Sequence, residues 1–329
     1  MKTNLVVDRV VGSLLGVHLG DSLGSTWEFS PAHRLADEPD VGRMVGGGPF
    51  GWPVGGATDD TQQTLACARA FAGVLLHSGP GVFLLDDLIN SAGKALDDWY
   101  ATNPRDVGST TGAALSARQS PRPGAHGVGP WATHRSVSNG AMMRAAPCAF
   151  VTTIPAARAR LARDVCAITH QSAVAQDLVE LYVELLAALA EGGRLLPQWR
   201  RVLDRVQQYL PALTDMSHPF TWDDDALFRD GSSFTALRMA LWALHRSDDV
   251  GPFQALLEVI RCGGDTDTNA AIAGGMLGAA WGSWYWLSTE PGPKVLELLE
   301  HGVELMDLGG ILAQQQPATD SRLRSWAKT

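Results

Sequence analysis

The stretch VAQDLVELYVELLAALAE, residues 174–191, shows most directly which class of fold this chain adopts. Its large apolar residues recur every three or four positions, at Val174, Leu178, Leu181, Leu185 and Leu189. This spacing places the apolar side chains on one face of an α-helix. The stretch therefore predicts a helix that packs against a hydrophobic core.

The same spacing recurs along much of the chain and predicts further helices. It is found in residues 85–99, 199–210, 253–260 and 296–306, and shorter patterns predict helices over about residues 5–19, 60–76, 140–146, 156–168, 232–246 and 269–286. No segment shows sustained alternation of apolar and polar residues with β-branched enrichment, so little is available to build a sheet. The sequence predicts an all-α fold.

The organisation of the chain favours a single domain over residues 1–329. No composition break typical of a linker occurs, and no repeat of the kind found in solenoids is present. Two connectors rich in glycine and proline, residues 29–57 and 101–137, interrupt the helical pattern. Loops of this length inside a compact domain are usually functional.

Composition and charge exclude several classes of protein. The chain has 45% hydrophobic and 19% charged residues, which is typical of a globular soluble protein. Its 26 basic and 35 acidic residues give a formal charge of -9, which disfavours nucleic-acid binding driven by phosphate contacts. An anionic substrate would therefore need a local source of positive charge.

Cysteine usage and the apolar segments favour a location in the cytoplasm. The four cysteines, Cys67, Cys148, Cys166 and Cys262, lack the spacing of a disulfide framework or a zinc site. The apolar stretch near residue 10 contains charged residues at positions 8 and 9, which a secretory signal would not tolerate. The uncharged segment over residues 268–289 is long enough to span a membrane, but it contains too many polar and glycine residues to do so. We expect no membrane partner.

Two predicted helix starts carry a dense run of Asp and Thr after paired glycines. They read GGATDDTQQTL, residues 55–65, and GGDTDTNAAI, residues 263–272. Either start alone is compatible with ordinary helix capping. If the two starts converge, four carboxylates share a small volume, and like charges about 4 Å apart repel by roughly 4 kcal/mol at an effective dielectric constant of 20. Such a cluster must hold protons or cations, and its hard oxygen atoms favour Mg²⁺ or Mn²⁺ over zinc.

The helix that follows the second start has one face of very small residues. Gly274, Gly278 and Gly282 fall four positions apart, so this face is nearly bare backbone. We predict that another helix approaches it closely and that the helix is central, holding the polar residues at its start rigidly.

Five segments of the chain resemble a known family. They read GSLLGVHLGDSLGSTWEF, GATDDTQQTL, SVSNGAMMRAAP, ITHQSAVAQD and GGDTDTNAAIAGGMLGAAWG. They lie within about residues 10–285, in the order seen in ADP-ribosylglycohydrolases, including the dinitrogenase reductase-activating glycohydrolase branch. A C-terminal helix and tail follow the last segment. Five such segments in order are highly specific.

This resemblance implies a fold, a cofactor and an activity. The fold would be an orthogonal all-α bundle, and the cofactor two divalent cations, Mg²⁺ or Mn²⁺. The activity would be removal of ADP-ribose from a modified acceptor by attack of water at the anomeric carbon. By motif position, the metal ligands would be Thr58, Asp59, Asp60, Asp265, Asp267 and Thr268. The noncatalytic members of the family tend to lack some of these residues, so the complete set favours an active enzyme.

The resemblance also points to two carboxylates outside the ligand set. Cleaving a ribosyl bond requires a proton for the leaving group and removal of a proton from water. Glu28 resembles the glutamate on the loop that covers the metals, and Asp106 resembles the aspartate near the water. We assign the proton transfers to this pair without ranking them. Without the resemblance, they would be interpreted as a surface carboxylate and a turn residue.

Five further residues are candidates for substrate binding. Ser138, Asn139 and Gly140 stand at the start of a predicted short helix, where backbone N–H groups can bind phosphate and where a plain helix cap fits equally well. The resemblance places this segment at the diphosphate and ribose. His170 would contact a ribose hydroxyl, although a histidine with a purely structural role fits the same position. Trp131 is a candidate for stacking on the adenine.

The predicted substrate is a protein carrying ADP-ribose on arginine, as in the branch the chain most resembles. Two alternatives stay open: ADP-ribose linked to serine, to another oxygen or to nucleic acid, and a protein that binds ADP-ribose without turnover. Nucleic acid is expected only as a modified substrate. The acceptor depends on the connectors over residues 29–57 and 101–137, whose shape the sequence does not give.

Overall fold

Helices make up nearly all the regular structure in the computed structural model, and this confirms the predicted all-α class. The structure describes residues 2–78, 83–118, 136–193, 197–209, 231–288, 292–314 and 318–319. The α-helices are α1 (Lys2–Gly24), α2 (Ala32–Leu35), α3 (Asp59–His77), α4 (Leu85–Ala101), α5 (Ser109–Arg118), α6 (Pro155–Ala167), α7 (Ala173–Glu191), α8 (Pro197–Tyr209), α9 (Ser233–Val250), α10 (Pro252–Arg261), α11 (Thr266–Trp281), α12 (Ser283–Ser288), α13 (Lys294–Leu298) and α14 (Gly302–Leu312).

Two short 3₁₀ helices and one strand pair complete the regular structure of the described residues. The 3₁₀ helices cover Asn139–Ala141 and Ala146–Ala149. The strands β1 (Phe83–Leu84) and β2 (Ala318–Thr319) pair in parallel over two residues each. The strand pair is too small to change the class of the fold.

Helix α11 lies at the centre of the molecule. All its residues from Thr266 to Ala279 are buried, and it packs against α1, α7, α9 and α10. A central helix fixes the position of the residues at its own start. This arrangement agrees with the rigid placement predicted from the sequence.

The close partner of the small-residue face is α1, and the two helices touch backbone to backbone. A Cβ atom added at Gly274 would lie 2.0 Å from the carbonyl oxygen of Gly16, and one added at Gly16 would lie 2.0 Å from the carbonyl oxygen of Gly274. The same holds one turn along, between Gly12 and Gly278. The predicted close approach is confirmed, and the glycines are required there because no side chain fits.

Gly282 has a different role from the other glycines of this face. Its φ angle of +85° ends α11, so the single helix predicted over residues 269–286 is wrong and two helices, α11 and α12, occur instead. Glycine adopts such an angle at no steric cost, which makes it a common helix terminator.

Among the described helices none is both long and apolar enough to cross a membrane.

Three other predicted elements also differ from the structure. The helix predicted over residues 296–306 is divided into α13 and α14 by a short break. The predicted helix over residues 140–146 is replaced by 3₁₀ turns. The connector predicted over residues 101–137 contains α5, whose sequence STTGAALSAR is rich in small residues and gives no clear apolar period.

Candidate active site

The two Asp- and Thr-rich helix starts meet in the folded chain. Helix α3 begins directly after Thr58 and α11 directly after Asp265. Asp60 Oδ2 accepts hydrogen bonds from the Thr58 hydroxyl at 3.2 Å and from the Thr268 hydroxyl at 3.3 Å. The residues predicted as one ligand set therefore lie together, although more than 200 positions separate Asp60 from Thr268 in the chain.

A cavity of about 560 Å³ opens above this meeting point and is strongly acidic. The carboxylates that line it are Glu28, Asp59, Asp106, Asp265 and Asp267. Carboxylate oxygens of Glu28, Asp265 and Asp267 all lie within 4.8 Å of one another. Within the described part of the chain, none of these five side chains forms an ion pair with lysine or arginine.

Burial and mutual repulsion raise the pKa values of this cluster. Burial, followed by the nearby Asp106 carboxylate, raises the pKa of Glu28 to about 9 and that of Asp59 to about 8. The pKa values of Asp60 and Asp267 are raised well above the usual range by burial and, to a lesser extent, by neighbouring carboxylates. In the absence of cations, these groups hold protons near neutral pH.

The donor atoms present fit a divalent cation that prefers oxygen ligands. Glu28 Oε2 and Asp60 Oδ1 are buried without a hydrogen-bond partner among the described residues. Buried polar atoms in proteins are nearly always paired, so unpaired carboxylate oxygens beside hydroxyl groups suit a bound cation. Glu28 was predicted to transfer protons, yet it lies as close to Asp265 and Asp267 as a ligand would.

The loop that carries Glu28 is attached to the residues before α11. The Phe29 N–H donates to the carbonyl of Gly264 at 2.8 Å, and the Gly264 N–H donates to the carbonyl of Ser30 at 3.0 Å. Phe29 adopts a φ of +62°, in the left-handed region that non-glycine residues rarely occupy. This pair of hydrogen bonds fixes Glu28 beside Asp265.

Asp106 lines the same cavity from the loop between α4 and α5. Burial raises its pKa. The preceding Arg105 donates to the carbonyl of Gly51 at 2.8 Å and lies 5.1 Å above the Trp52 ring. The two long connectors predicted to be functional are therefore joined to each other at the cavity.

A cluster of hydroxyl groups forms the polar end of the cavity. The hydroxyl of Ser138 lies 3.1 Å from that of Ser136 and 3.4 Å from that of Thr110. The Asn139 amide donates to Asp265 Oδ2 at 2.7 Å, which links this cluster to the acidic residues. Gly140 also lines the cavity, at the end where the sequence predicted substrate binding.

His170 contacts the cavity only through another side chain. It is buried, and burial lowers its pKa to about 3, so the ring is neutral. Its Nε2 pairs with the Ser138 hydroxyl at 2.7 Å and its Nδ1 with the Thr169 hydroxyl at 2.8 Å. Because both ring nitrogens have partners, the geometry suits the structural interpretation, and direct contact with a ribose hydroxyl stays a prediction.

The sequence pattern that defines the ADP-ribosylglycohydrolase family matches residues 2–320 of this chain. The chain belongs to the ADP-ribosylglycohydrolase family. The resemblance drawn from the five segments is thereby confirmed.

Known members of the ADP-ribosylglycohydrolase family resemble the chain over most of its length. It is 29% identical to the ADP-ribosylarginine hydrolase Tri1 of Pseudomonas putida (strain GB-1), covering 95% of this chain and 80% of that protein. It is 28% identical to the ADP-ribosyl-[dinitrogen reductase] glycohydrolase of Rhodospirillum rubrum, covering 84% and 87%. A solved chain of an ADP-ribosylglycohydrolase-related protein complex superposes with a TM-score of 0.71 at 25% identity, covering 95% and 99%. This match confirms a fold of the ADP-ribosylglycohydrolase type.

Asp21 supports the start of α3 in this ADP-ribosylglycohydrolase and was missed as a site residue. It is fully buried in α1, and its Oδ2 accepts from the N–H groups of Thr58 and Thr61, each at 3.1 Å. Burial raises its pKa to about 6. An ionisable residue inside the apolar pattern of α1 was the available signal.

Arg144 connects the two ends of the cavity from within the core. It is fully buried and donates to Gln63 Oε1 at 2.9 Å, to the Gly140 carbonyl at 2.8 Å and to the Thr169 hydroxyl at 2.5 Å. Gln63 in turn donates to Asp59 Oδ2 at 3.2 Å. All three of these acceptors of Arg144 are neutral.

A third support comes from the break between α13 and α14. Glu300 Oε2 accepts from the Ala57 N–H at 3.2 Å, and the Glu300 N–H donates to the Gly55 carbonyl at 3.0 Å. A Cβ atom at Gly55 would lie 1.7 Å from the carbonyl oxygen of Leu298. The loop before Asp59 is therefore packed against residues that follow all five family segments.

Two remaining features of the sequence cannot be placed. Trp131, the candidate for adenine stacking, lies outside the described residues. A run of three acidic residues, Asp223, Asp224 and Asp225, is more typical of a solvated helix start than of a metal site, and it also lies outside them.

Proposed function

We propose that this chain is a metal-dependent hydrolase that removes ADP-ribose from arginine side chains of modified proteins in the cytoplasm. The observation that carries the proposal is the meeting of the α3 and α11 starts, where buried carboxylates have no cationic partner among the described residues. Two relatives named as ADP-ribosylarginine hydrolases, from Pseudomonas putida and Serratia proteamaculans, support arginine as the acceptor.

The residues at the two helix starts would hold two divalent cations, Mg²⁺ or Mn²⁺. The proposed ligands are Thr58, Asp59, Asp60, Asp265, Asp267 and Thr268. When bound, such cations supply Lewis acidity and a template for oxygen atoms of the substrate. They also supply the positive charge that a chain with a net charge of -9 needs for a phosphate-bearing substrate.

Glu28 and Asp106 would transfer the two protons of the reaction. One group must protonate the leaving nitrogen of the acceptor, and the other must remove a proton from water attacking the anomeric carbon. Burial and the neighbouring Asp106 raise the pKa of Glu28, which suits a carboxyl group that can donate a proton near neutral pH. Asp106 lines the same cavity.

The hydroxyl-rich end of the cavity would bind the rest of the ADP-ribose. Ser138, Asn139 and Gly140 present hydroxyl, amide and backbone groups next to the acidic residues. A cavity of about 560 Å³ falls within the usual range for small-molecule sites. His170 would position Ser138 through its ring nitrogen.

The proposal is tested by measuring ADP-ribose release from proteins modified on arginine, on serine and from ADP-ribosylated DNA, each with Mg²⁺, Mn²⁺ or EDTA. We expect release from the arginine-linked protein with either cation and none in EDTA. Undiminished release in EDTA would contradict metal dependence. Preferred release from serine or DNA would contradict the acceptor, and tight ADP-ribose binding without release would identify a binding protein instead.

A further inference from the structure

Phe29 occupies an unfavourable position at the mouth of the cavity. Its side chain is 52% exposed and lines the opening directly after Glu28. Its φ of +62° is sterically unfavourable for a bulky side chain. Glycine or a polar residue would fit both the backbone and the solvent better, and costs of this kind are concentrated at functional sites.

The Phe29 ring is held in place by neighbouring groups. Its backbone is hydrogen-bonded to Gly264, as described above, and its ring packs edge-on against Phe50 at a centroid distance of 6.4 Å. Arg105 fixes the loop of Phe50 by donating to the carbonyls of Phe50 and Gly51 at 3.3 and 2.8 Å. We call Phe29 and Phe50 the rim pair. It presents an aromatic surface at the opening.

The position of the rim pair identifies the part of the substrate that it meets. A diphosphate is repelled by carboxylates and suits the hydroxyl cluster around Ser138, at the end linked to Asp265 through Asn139. The bond to be broken lies at the acidic residues. Phe29 directly follows Glu28 and lines the same cavity, so an acceptor that leaves past Glu28 meets the Phe29 ring.

The chemistry of this exit favours one kind of acceptor. A guanidinium group is planar, cationic and weakly hydrated, so it stacks on aromatic rings and is attracted to nearby carboxylates. A serine hydroxyl is neutral and gains little from either feature. We infer that Phe29, supported by Phe50, binds the guanidinium of the acceptor and selects arginine-linked ADP-ribose. This inference rests on the proposed function.

The test compares the holoenzyme with Phe29→Gly, Phe29→Tyr and the control Leu76→Ala. Glycine accepts the φ of +62°, so Phe29→Gly should fold at least as stably as the parent. Leu76 is 63% exposed on α3, and its truncation controls for loss of an exposed apolar side chain. The measurements are KM and kcat for an arginine-linked peptide, the inhibition constant of agmatine, and the Kd of ADP-ribose.

We expect Phe29→Gly to raise KM and the agmatine inhibition constant by about 3- to 30-fold, the range of a cation–π contact. The Kd of ADP-ribose and the melting temperature should be unchanged. Phe29→Tyr should have a KM and an agmatine inhibition constant close to those of the parent, because tyrosine keeps the aromatic face. Leu76→Ala should have the same two constants as the parent.

Two outcomes would overturn the inference. One is an unchanged KM and agmatine constant in Phe29→Gly, and the other is an equal loss of ADP-ribose binding, which would mean that the ring contacts ADP-ribose itself. If the parent protein releases ADP-ribose from no substrate, the proposed function fails. Direct agmatine binding to the parent and to Phe29→Gly, measured with ADP-ribose present, then decides the inference separately.

Discussion

At the scale of single residues, Asp60 shows how a buried charge is kept at a cost to stability. It is fully buried, one of its oxygens has no partner among the described residues, and burial raises its pKa well above the usual range. An uncompensated buried carboxylate destabilises a folded protein unless a cation or a proton neutralises it. The unpaired oxygen fits the proposed role of Asp60 in holding a cation.

We therefore predict opposite effects of Asp60→Asn on stability and on activity. The amide keeps the shape and can still accept from the hydroxyls of Thr58 and Thr268. Without divalent cations, at pH 8, the variant should be more stable than the parent by about 1 kcal/mol, because one repelling group is removed. ADP-ribose release and Mn²⁺ affinity should fall about 100-fold or more.

Urea unfolding, Mn²⁺ titration and release assays check this prediction. Asp98→Asn is the matched control, since Asp98 is 64% exposed in a surface ion pair with Lys94 and should change stability by less than about 0.5 kcal/mol. Full activity in Asp60→Asn would remove Asp60 from the ligand set.

The sequence was informative about residues with a characteristic chemical pattern. Asp59, Asp60, Asp265 and Asp267 stand in two repeated motifs, and their convergence was a hypothesis that the family resemblance supported. Glu300 could not be found in this way, because its contact with Ala57 joins positions 243 apart and depends on how α13 and α14 pack. The contact of Glu300 is set by tertiary geometry and leaves no local signal, unlike Asp21, which stands inside the apolar pattern of α1.

At the scale of elements, the contact between α1 and α11 permits no side chain. We predict that Gly274→Ala destabilises the protein by about 1–3 kcal/mol, because the added methyl group would overlap the Gly16 carbonyl. This loss exceeds the gain of up to about 1 kcal/mol that alanine brings to a helix. Chemical denaturation measures the difference.

Gly73→Ala provides the control for this prediction. Gly73 lies in α3, and a Cβ atom there would meet nothing within 4 Å. The substitution should stabilise the protein by about 0.5–1 kcal/mol. If Gly274→Ala and Gly73→Ala changed the free energy of unfolding by the same amount, the close packing of α1 and α11 would contribute nothing to stability.

Elements with a strong apolar period were predicted well, and breaks between them were not. Helix α7 matches the opening stretch, since Ser172 caps its start and Gly192 follows its end. Helix α5 was missed because it buries only small side chains and one leucine. The break before α14 was missed because the apolar spacing continues across it.

At the scale of the whole molecule, the acidic cavity makes stability depend on pH and cations together. The pKa values of Asp59 and Glu28 are raised to about 8 and about 9, so their folded forms hold protons that the unfolded chain would release. Their contribution to stability is complete below pH 4 and is lost as pH rises through these values. His18 and His170 act in the opposite sense, because burial lowers both pKa values to about 3 and stability is lost as pH falls below 6.5.

The window above pH 6.5 thus isolates the carboxylates. We predict that the melting temperature of the cation-free protein falls by several degrees between pH 6.5 and pH 9. The stabilisation given by Mn²⁺ should grow over the same window, since carboxylates bind cations only after losing their protons. Differential scanning calorimetry with and without Mn²⁺ measures both quantities. The proposal that the acidic cluster is the cation site would be contradicted by either of two results. One is a melting temperature of the cation-free protein that does not change in this window, and the other is a rise in melting temperature with Mn²⁺ that is the same at every pH.

The contact of Leu298 and Glu300 with the loop before Asp59 changes where the chain can safely be shortened. All five family segments end by residue 282, so a fragment cut near residue 290 would still contain every one of them. Such a fragment would expose Gly55 and leave the Ala57 N–H without its acceptor Glu300. The loop before α3 would then lose the residues that pack behind it. Expression trials and domain swaps with this chain should therefore keep residues 292–312, and affinity tags belong beyond them.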